Sequence, residues 1–348
     1  MQAYLNLIAE GEPLTQDQAE EAMHRMMQGQ AEPEHVAAFL MGLRARGETT
    51  AELVGFTRVM RAYAVPVRLD DPHAIDLCGT GGDRSGTFNI STAAAFVCAG
   101  AGVTVAKHGN RSISSKAGSA DVMRALGVEV ELGPDGVETC LREAGIAFIY
   151  APLYHPALKH VMPIRRTLGV RTFFNILGPL CNPAGVRRQL VGAFSEEVAR
   201  SMATILAELD AEQVLAVHAQ DGLDEISVAA PTRGFVYAAP EQATERDAYL
   251  KPLTIRPEQH GLARFPLDAI RGGTAEDNAA LIRRVLDGEW GPHRVVVLLN
   301  AAYGLYVSGR FNDLTDCFDA ARESIDSGAA RAALDRLVAA SHDVRPAA

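Results

Sequence analysis

The 348-residue chain reads as an α/β protein: a small all-helical N-terminal domain, then a larger α/β domain around a mostly parallel central sheet. Three observations lead there. Apolar residues recur at i, i+3, i+4 and i+7 through roughly the first 65 residues. From Ile75 onward short apolar runs alternate with helical stretches. The length exceeds one average domain of about 150 residues by a factor of about two. With 48% hydrophobic and 22% charged residues the composition is that of a globular chain, which excludes disorder. No run approaches 18 consecutive apolar residues, so no membrane span is expected.

The helical part opens at Thr15, whose spacing to Gln18 fits a capping box, and continues through Ala19, Ala22, Met23 and Met26. Val36, Phe39, Leu40 and Leu43 form a second stripe that Gly47 can end. Thr49 and Glu52 predict another capped start before Leu53, Phe56 and Met60, and Pro66 breaks the run. Strands are then expected at Ile75–Leu77, Val103–Ala106, Val128–Leu132, Ile146–Ala151, Val214–Ala219, Phe235–Ala238 and Val295–Leu299. Residues 155–185, rich in Pro, Gly and bases, do not fit a βα unit and are expected to rejoin the helical part. The division is therefore 1–69 plus part of 156–186, against 70–155 and 187–348.

The first 30 residues hold Glu10, Glu12, Asp17, Glu20 and Glu21 and do not read as a secretory signal. Cys78, Cys98, Cys140, Cys181 and Cys317 are scattered with no C-x-x-C pair, which predicts a reducing cytoplasm and neither disulfides nor a zinc site. The net charge of −10 argues against a nucleic-acid binder. Its distribution is uneven. Residues 84–120 contain no Asp or Glu but four bases, and residues 144–195 contain none but six. Acids are missing where bases collect, as a site for a small anion requires.

Four motifs carry chemistry. Asp76-Leu77-Cys78-Gly79-Thr80-Gly81-Gly82-Asp83 runs a strand into glycines, and Thr87-Phe88-Asn89-Ile90-Ser91-Thr92 then opens a helix. Backbone amides and a helix N-terminus there favour an anion. The turn matches neither a P-loop nor G-x-G-x-x-G, since Arg84 stands at the last glycine position. Lys107-His108-Gly109-Asn110-Arg111-Ser112-Ile113-Ser114-Ser115-Lys116 follows a second strand, with cations and hydroxyls suited to a phosphate or diphosphate. Asp221-Gly222-Leu223-Asp224-Glu225 follows a third, and its adjacent carboxylates suit Mg²⁺ beside phosphates. The run from His155 through Arg165, Arg166 and Arg171 to Gly178 offers arginine forks for a carboxylate, with no acid nearby in sequence.

In this order, and with Leu299-Asn300-Ala301-Ala302 near the C-terminus, the motifs resemble the anthranilate phosphoribosyltransferases over nearly the whole chain. Arg84, where the family often has a small residue, and Gln220 before the acidic motif are mild departures. The resemblance implies a fold like that of class-II nucleoside phosphorylases. It also implies transfer of 5-phosphoribose from phosphoribosyl diphosphate to the amine of anthranilate, with Mg²⁺, in tryptophan biosynthesis. Phosphoribosyl diphosphate would meet Gly79, Gly82, Asp83, Thr87, Asn89, Ile90, Ser91, Thr92, Lys107 to Ser115 and Ser119. Ser91, Asp224 and Glu225 would hold the metal. Anthranilate would meet Gly79, Asn110, His155, Arg165 and Gly178, and Lys107, His108, Asn110 and Arg165 would carry the catalytic work. A homodimer through the helices is expected, with no nucleic-acid or membrane partner. A pyrimidine nucleoside phosphorylase would also need phosphate loops, yet the His155…Arg165 run and the acidic pair fit it less well. A non-catalytic nucleic-acid-binding relative is opposed by the charge.

Overall fold

The computed structural model describes residues 1–81, 85–111, 117–239 and 250–343. Four helices come first: α1 (Gln2–Ala9), α2 (Gln16–Met27), α3 (Pro33–Arg46) and α4 (Thr50–Ala62). Both expected capping boxes are present, at Thr15–Gln18 and Thr49–Glu52. The stripes Ala19/Ala22/Met23/Met26 and Val36/Phe39/Leu40/Leu43 are buried, as their spacing requires.

The sheet is built from β1 (Ile75–Gly79), β2 (Val105–Gly109), β3 (Ile146–Tyr150), β4 (Arg188–Gly192), β5 (Gln213–Ala219), β6 (Thr232–Ala238) and β7 (Lys251–Ile255). Their order is β3-β2-β1-β4-β5-β6-β7. The first five run parallel, and β6 and β7 add antiparallel pairings at one edge. The chain builds outward from β1 to β3 and then resumes on β1's other side with β4. Ligands of open parallel sheets bind at such a reversal, beyond the carboxyl ends of the strands.

Side chains alternate across the strands and so feed two cores. Leu190, Leu215 and Val217 face a layer drawn from α5 (Ile90–Gly100), α6 (Ser119–Ala125) and α7 (Pro134–Ala144) and from the C-terminal helices. Val191, Val214 and Ala216 face α1–α4 and the later helix Glu196–Glu208. After α8 (Ala151–Tyr154), segment 155–185 carries α9 (Met162–Leu168) and α10 (Phe174–Leu177). Its Val161, Phe173, Phe174, Leu177, Leu180 and Cys181 share the core of the first four helices. Phe56 stacks on Phe173 at 4.4 Å and Phe173 on Phe174 at 4.6 Å.

Two expected strands are absent and two strands were not expected. Val295–Leu299 lies inside a helix, Pro292–Ser308, fully buried in the sheet's helical layer. A continuous apolar run cannot separate a buried strand from a buried helix; length decides, and Pro292 at its first turn and left-handed Gly309 at its end mark a 17-residue helix. In Val128–Leu132 the alternate residues Val128, Val130 and Leu132 are buried, but the segment pairs with no strand among the described residues. The unexpected β4 begins with Arg188, and β7 has only one well-buried residue, so neither shows an apolar run in sequence.

Candidate active site

Completing the helices are α11 (Glu196–Glu208), α12 (Ala275–Leu286), α13 (Pro292–Ser308), α14 (Leu314–Asp326) and α15 (Ala329–Asp343). The carboxyl ends of β1, β2, β4 and β5 converge on one end of the sheet. The glycine-rich turn after β1 leads to α5, and Gly82, Asp83 and Arg84 lie outside the described residues. Segment 270–272 backs the turn: Gly272 N–H donates to Gly86 O at 2.9 Å and Phe88 N–H to Ile270 O at 3.2 Å.

The acidic motif crosses the strand ends at very close range. A Cβ on Gly192 would lie 1.5 Å from Asp224 O, and one on Gly79 2.8 Å from Asp224 Oδ2. Only glycines at the ends of β4 and β1 admit this crossing. Asp224 Oδ2 accepts Gly81 N–H at 2.7 Å, and Glu225 Oε1 accepts Ser91 N–H at 3.2 Å. Glu225 thereby caps the first turn of α5 from across the site, a favourable place for negative charge. Asn89, the N-cap residue, does not cap; it receives Asn278 Nδ2 at 2.9 Å and reaches Ala117 O at 3.4 Å. Asp221 is used up internally, accepting from Ser227 Oγ at 2.6 Å.

Lys107 is buried in the middle of β2. Its ammonium donates to Leu77 O at 2.5 Å and Ser91 Oγ at 3.3 Å. Beneath it, Asp76 is held by Asn182 Nδ2 at 2.8 Å and His108 N–H at 3.3 Å. Burial raises the Asp76 carboxyl to about 6, against the pull of Lys107. Asn110 and Arg111 are exposed at the mouth, and Ser119 Oγ donates to Asn110 O at 3.3 Å. Ser112, Ile113, Ser114 and Ser115 lie outside the described residues. Thr92, buried on α5, has no hydrogen-bond partner for its hydroxyl among the described residues.

The other side of the site is drier. The rings of His108 and His155 lie 5.2 Å apart, both buried. Burial lowers His108 to about 3, with His155 adding to it, and lowers His155 to about 4, so both are neutral at pH 7. His108 Nε2 and the Thr172 hydroxyl find no hydrogen-bond partner among the described residues. Arg165 lies 4.8 Å over the Phe174 ring and is lowered to about 10 by burial. No carboxylate among the described residues is within ion-pair reach of it. The phenylalanine stack of the helical core thus ends at this guanidinium.

Not every base of the acid-free windows serves the site. Arg187 and Arg188 both bridge Glu212 at 2.7 Å, at the opposite end of the sheet, and Arg171 covers the Phe194 ring at 4.7 Å. Pairing partners distant in sequence defeat an argument from sequence windows. Asp76, Asn300, Asn278 and Asn182 support the site; Asp76 opens the glycine-rich motif and Asn300 lies in Leu299-Asn300-Ala301-Ala302, but nothing in the local sequence marks Asn278 or Asn182.

A helical bundle joined to an α/β domain, with paired carboxylates over a glycine-rich turn, is the architecture of a two-domain glycosyl transferase. The helical bundle domain of the glycosyl transferase family matches residues 2–64, and its a/b domain matches residues 71–331. A curated anthranilate phosphoribosyltransferase of Salinibacter ruber is 58% identical over 346 residues, covering 99% of each chain. One from Thermomicrobium roseum is 51% identical over 334 residues, covering 96% of this chain and 94% of the relative. Among solved structures, the anthranilate phosphoribosyltransferase of Thermus thermophilus superposes with a TM-score of 0.88 at 41% identity, covering 97% of this chain and 99% of that one. That of Saccharomyces cerevisiae in complex with PRPP and Mg gives 0.87 at 25% identity and 98% coverage of both. The chain belongs to the anthranilate phosphoribosyltransferase family.

Proposed function

We propose that this protein transfers 5-phosphoribose from phosphoribosyl diphosphate to the amine of anthranilate, releasing diphosphate, in tryptophan biosynthesis. The carrying observation is the acidic pair: Asp224 and Glu225 each accept one backbone amide from the turn and helix that face the anion. The Saccharomyces cerevisiae relatives, solved in complex with PRPP and Mg and with 4-fluoroanthranilate, support both substrates.

The donor set fits magnesium. It consists of hard oxygens, two carboxylates and the Ser91 hydroxyl, and no cluster of three His, Cys, Asp or Glu ligands occurs among the described residues. Such a site relies on water and substrate phosphate for its remaining ligands. Bound there, magnesium would neutralise charge on the departing diphosphate. The chain's residues do the rest. Gly79, Gly82, Asp83, Thr87, Asn89, Ile90, Thr92, the loop Lys107 to Ser115 and Ser119 hold the phosphoribosyl diphosphate. Lys107, already beside Ser91, places a positive charge where the leaving group gains a negative one.

Anthranilate binds with its carboxylate on Arg165, alongside Asn110, Gly79 and Gly178, and with His108 and His155 near its path. The neutral histidines suit an uncharged aromatic amine better than imidazolium rings would. The nitrogen lone pair forms the bond to the ribose carbon as the carbon–oxygen bond to diphosphate breaks, and the oxygen keeps that electron pair. The surplus proton then leaves an acidic arylammonium, so no strong base is needed. Positioning and electrostatics carry the rate. Burial pushes the Cys78 thiol well up, which removes it as a nucleophile.

Residues 1–69 with part of 156–186 form the helical unit in this reading, and 70–155 with 187–348 the α/β unit. An apolar cleft between α1 and α3, lined by Leu5, Ile8, Ala38, Gly42 and Ala45, supports a homodimer through the helices. A cytoplasmic location belongs to the same reading; among the described residues no helix is long and apolar enough to cross a membrane. Loss of anthranilate fluorescence on adding phosphoribosyl diphosphate, with and without Mg²⁺, tests the function. Phosphorolysis of thymidine or uridine in place of that signal would overturn it.

A further inference from the structure

Asn300 sits in mid-α13 within one of the most apolar stretches of the chain, Val295–Leu299 and Ala301–Ala302, and is 2% exposed. Its Oδ1 accepts Ile226 N–H at 3.0 Å. Its Nδ2 donates to Ile226 O at 2.8 Å and to Val296 O at 2.9 Å. One amide therefore holds both backbone groups of Ile226, the pairing a neighbouring strand would give, in a segment that lies outside the sheet. Ile226 directly follows Asp224 and Glu225, and its own side chain is buried. A buried amide is costly unless its bonds are made, and here both nitrogen protons and the oxygen are used.

The acidic pair is therefore held on two sides. Towards the N-terminus, Ala219 N–H donates to Leu223 O at 3.0 Å and closes the turn. Towards the C-terminus, Asn300 fixes Ile226. Between these anchors Asp224 O passes over Gly192 with no room to spare, so a shift of the backbone moves both carboxylates together. Nothing in the packing of α13 itself calls for an amide at this place.

We propose that Asn300 is a positioning residue for the metal–diphosphate half of the site: through Ile226 it sets where Asp224 and Glu225 stand relative to Gly81 and Ser91. It does not touch substrate, and it rests on the function proposed above. Binding separates it from a merely structural role. In Asn300→Ala, calorimetric affinity for phosphoribosyl diphosphate with Mg²⁺ falls about tenfold, and the Mg²⁺ concentration for half-maximal rate rises about tenfold. The KM for anthranilate stays within about twofold, and added Mg²⁺ recovers part of the rate. Asn300→Ser, whose hydroxyl keeps one bond to Ile226, falls between the two. It applies the same criterion if the alanine variant does not fold. A folded variant with unchanged Mg²⁺ and phosphoribosyl diphosphate affinity overturns the proposal, as does an equal loss for both substrates. An unsubstituted protein that fails to bind phosphoribosyl diphosphate with Mg²⁺ overturns the function itself instead.

Discussion

Where β1, β5 and α5 meet, the site is made of backbone amides, hydroxyls and carboxylates; where β2 meets segment 155–182, it is made of buried rings and one guanidinium. The polar side draws Asp224 and Glu225 onto Gly81 and Ser91 by hydrogen bonds of 2.7 and 3.2 Å. The ring side has His108 and His155 facing at 5.2 Å and kept neutral by burial. The difference suits the two substrates proposed above. A diphosphate needs many fixed partial charges and tolerates water, whereas an aromatic acid needs a dry slot and a single cation for its carboxylate. The two sides also come from different parts of the chain, since the ring side is held by the phenylalanine stack of the helical core.

The comparison breaks first if the polar side does not depend on its carboxylates. Asp224→Ala combined with Glu225→Ala should lower kcat/KM for phosphoribosyl diphosphate about 1,000-fold, the range found when charge-stabilising groups are removed. It should also raise the Mg²⁺ requirement in steady-state assays. An unchanged Mg²⁺ dependence would remove the metal from this side. Gly192→Ala comes next. Its Cβ would overlap Asp224 O at 1.5 Å and push the pair outward, and a displacement near 1 Å costs about 100-fold in rate. Far-ultraviolet circular dichroism should show the fold retained while activity falls; full activity would mean the strand end gives way instead.

On the ring side, Arg165→Ala sharpens the contrast. Loss of a charge-assisted hydrogen bond costs about 1.5–3 kcal/mol. That corresponds to a rise of roughly 10- to 150-fold in the KM for anthranilate. The KM for phosphoribosyl diphosphate should change far less. Arg165→Lys should rescue only in part, because an ammonium lacks the planar fork. Weakened phosphoribosyl diphosphate binding with anthranilate untouched would assign Arg165 to the polar side.

The polar side was the more legible in sequence, because its chemistry sits in contiguous stretches at or just beyond strand ends: Gly79–Gly81, Lys107–Arg111 and Asp224–Glu225. Periodicity and apolar runs likewise placed the capped helices and five of the seven strands, but not β4 at the centre of the sheet. What sequence spacing could not show is whatever depends on partners far along the chain. Asn278 reaches Asn89 across 189 positions, Asn300 reaches Ile226 across 74, and Glu212 takes Arg187 and Arg188 out of the expected anion site. The same holds for Val295–Leu299, where burial on all sides erased the period that separates helix from strand.

The finest test concerns protonation on the ring side. With His155 lowered to about 4 and His108 to about 3, neither ring gains a proton between pH 8 and about pH 5. The profile of kcat/KM for anthranilate should therefore show no acidic limb near 6.5, the ordinary histidine value. Stability tells the same story with a defined sign. Below about pH 6.5 the unfolded chain protonates these histidines while the folded chain does not, so folding weakens as pH falls towards 4. Asp76, raised to about 6, acts the other way: the folded state takes up its proton first and gains stability between about pH 6 and 4. His260 and His293, also lowered by burial, act in the same direction as His108 and His155, so the histidines together outweigh Asp76 and melting temperature falls on acidification. His155→Phe, which fills the slot without a titrating group, should flatten that fall by the share of one ring. An acidic limb near 6.5 that His155→Phe removes would mean that water reaches the histidines, and the dry side of the site would lose its distinction from the wet one; a limb that His155→Phe leaves in place belongs to Asp76, raised to about 6.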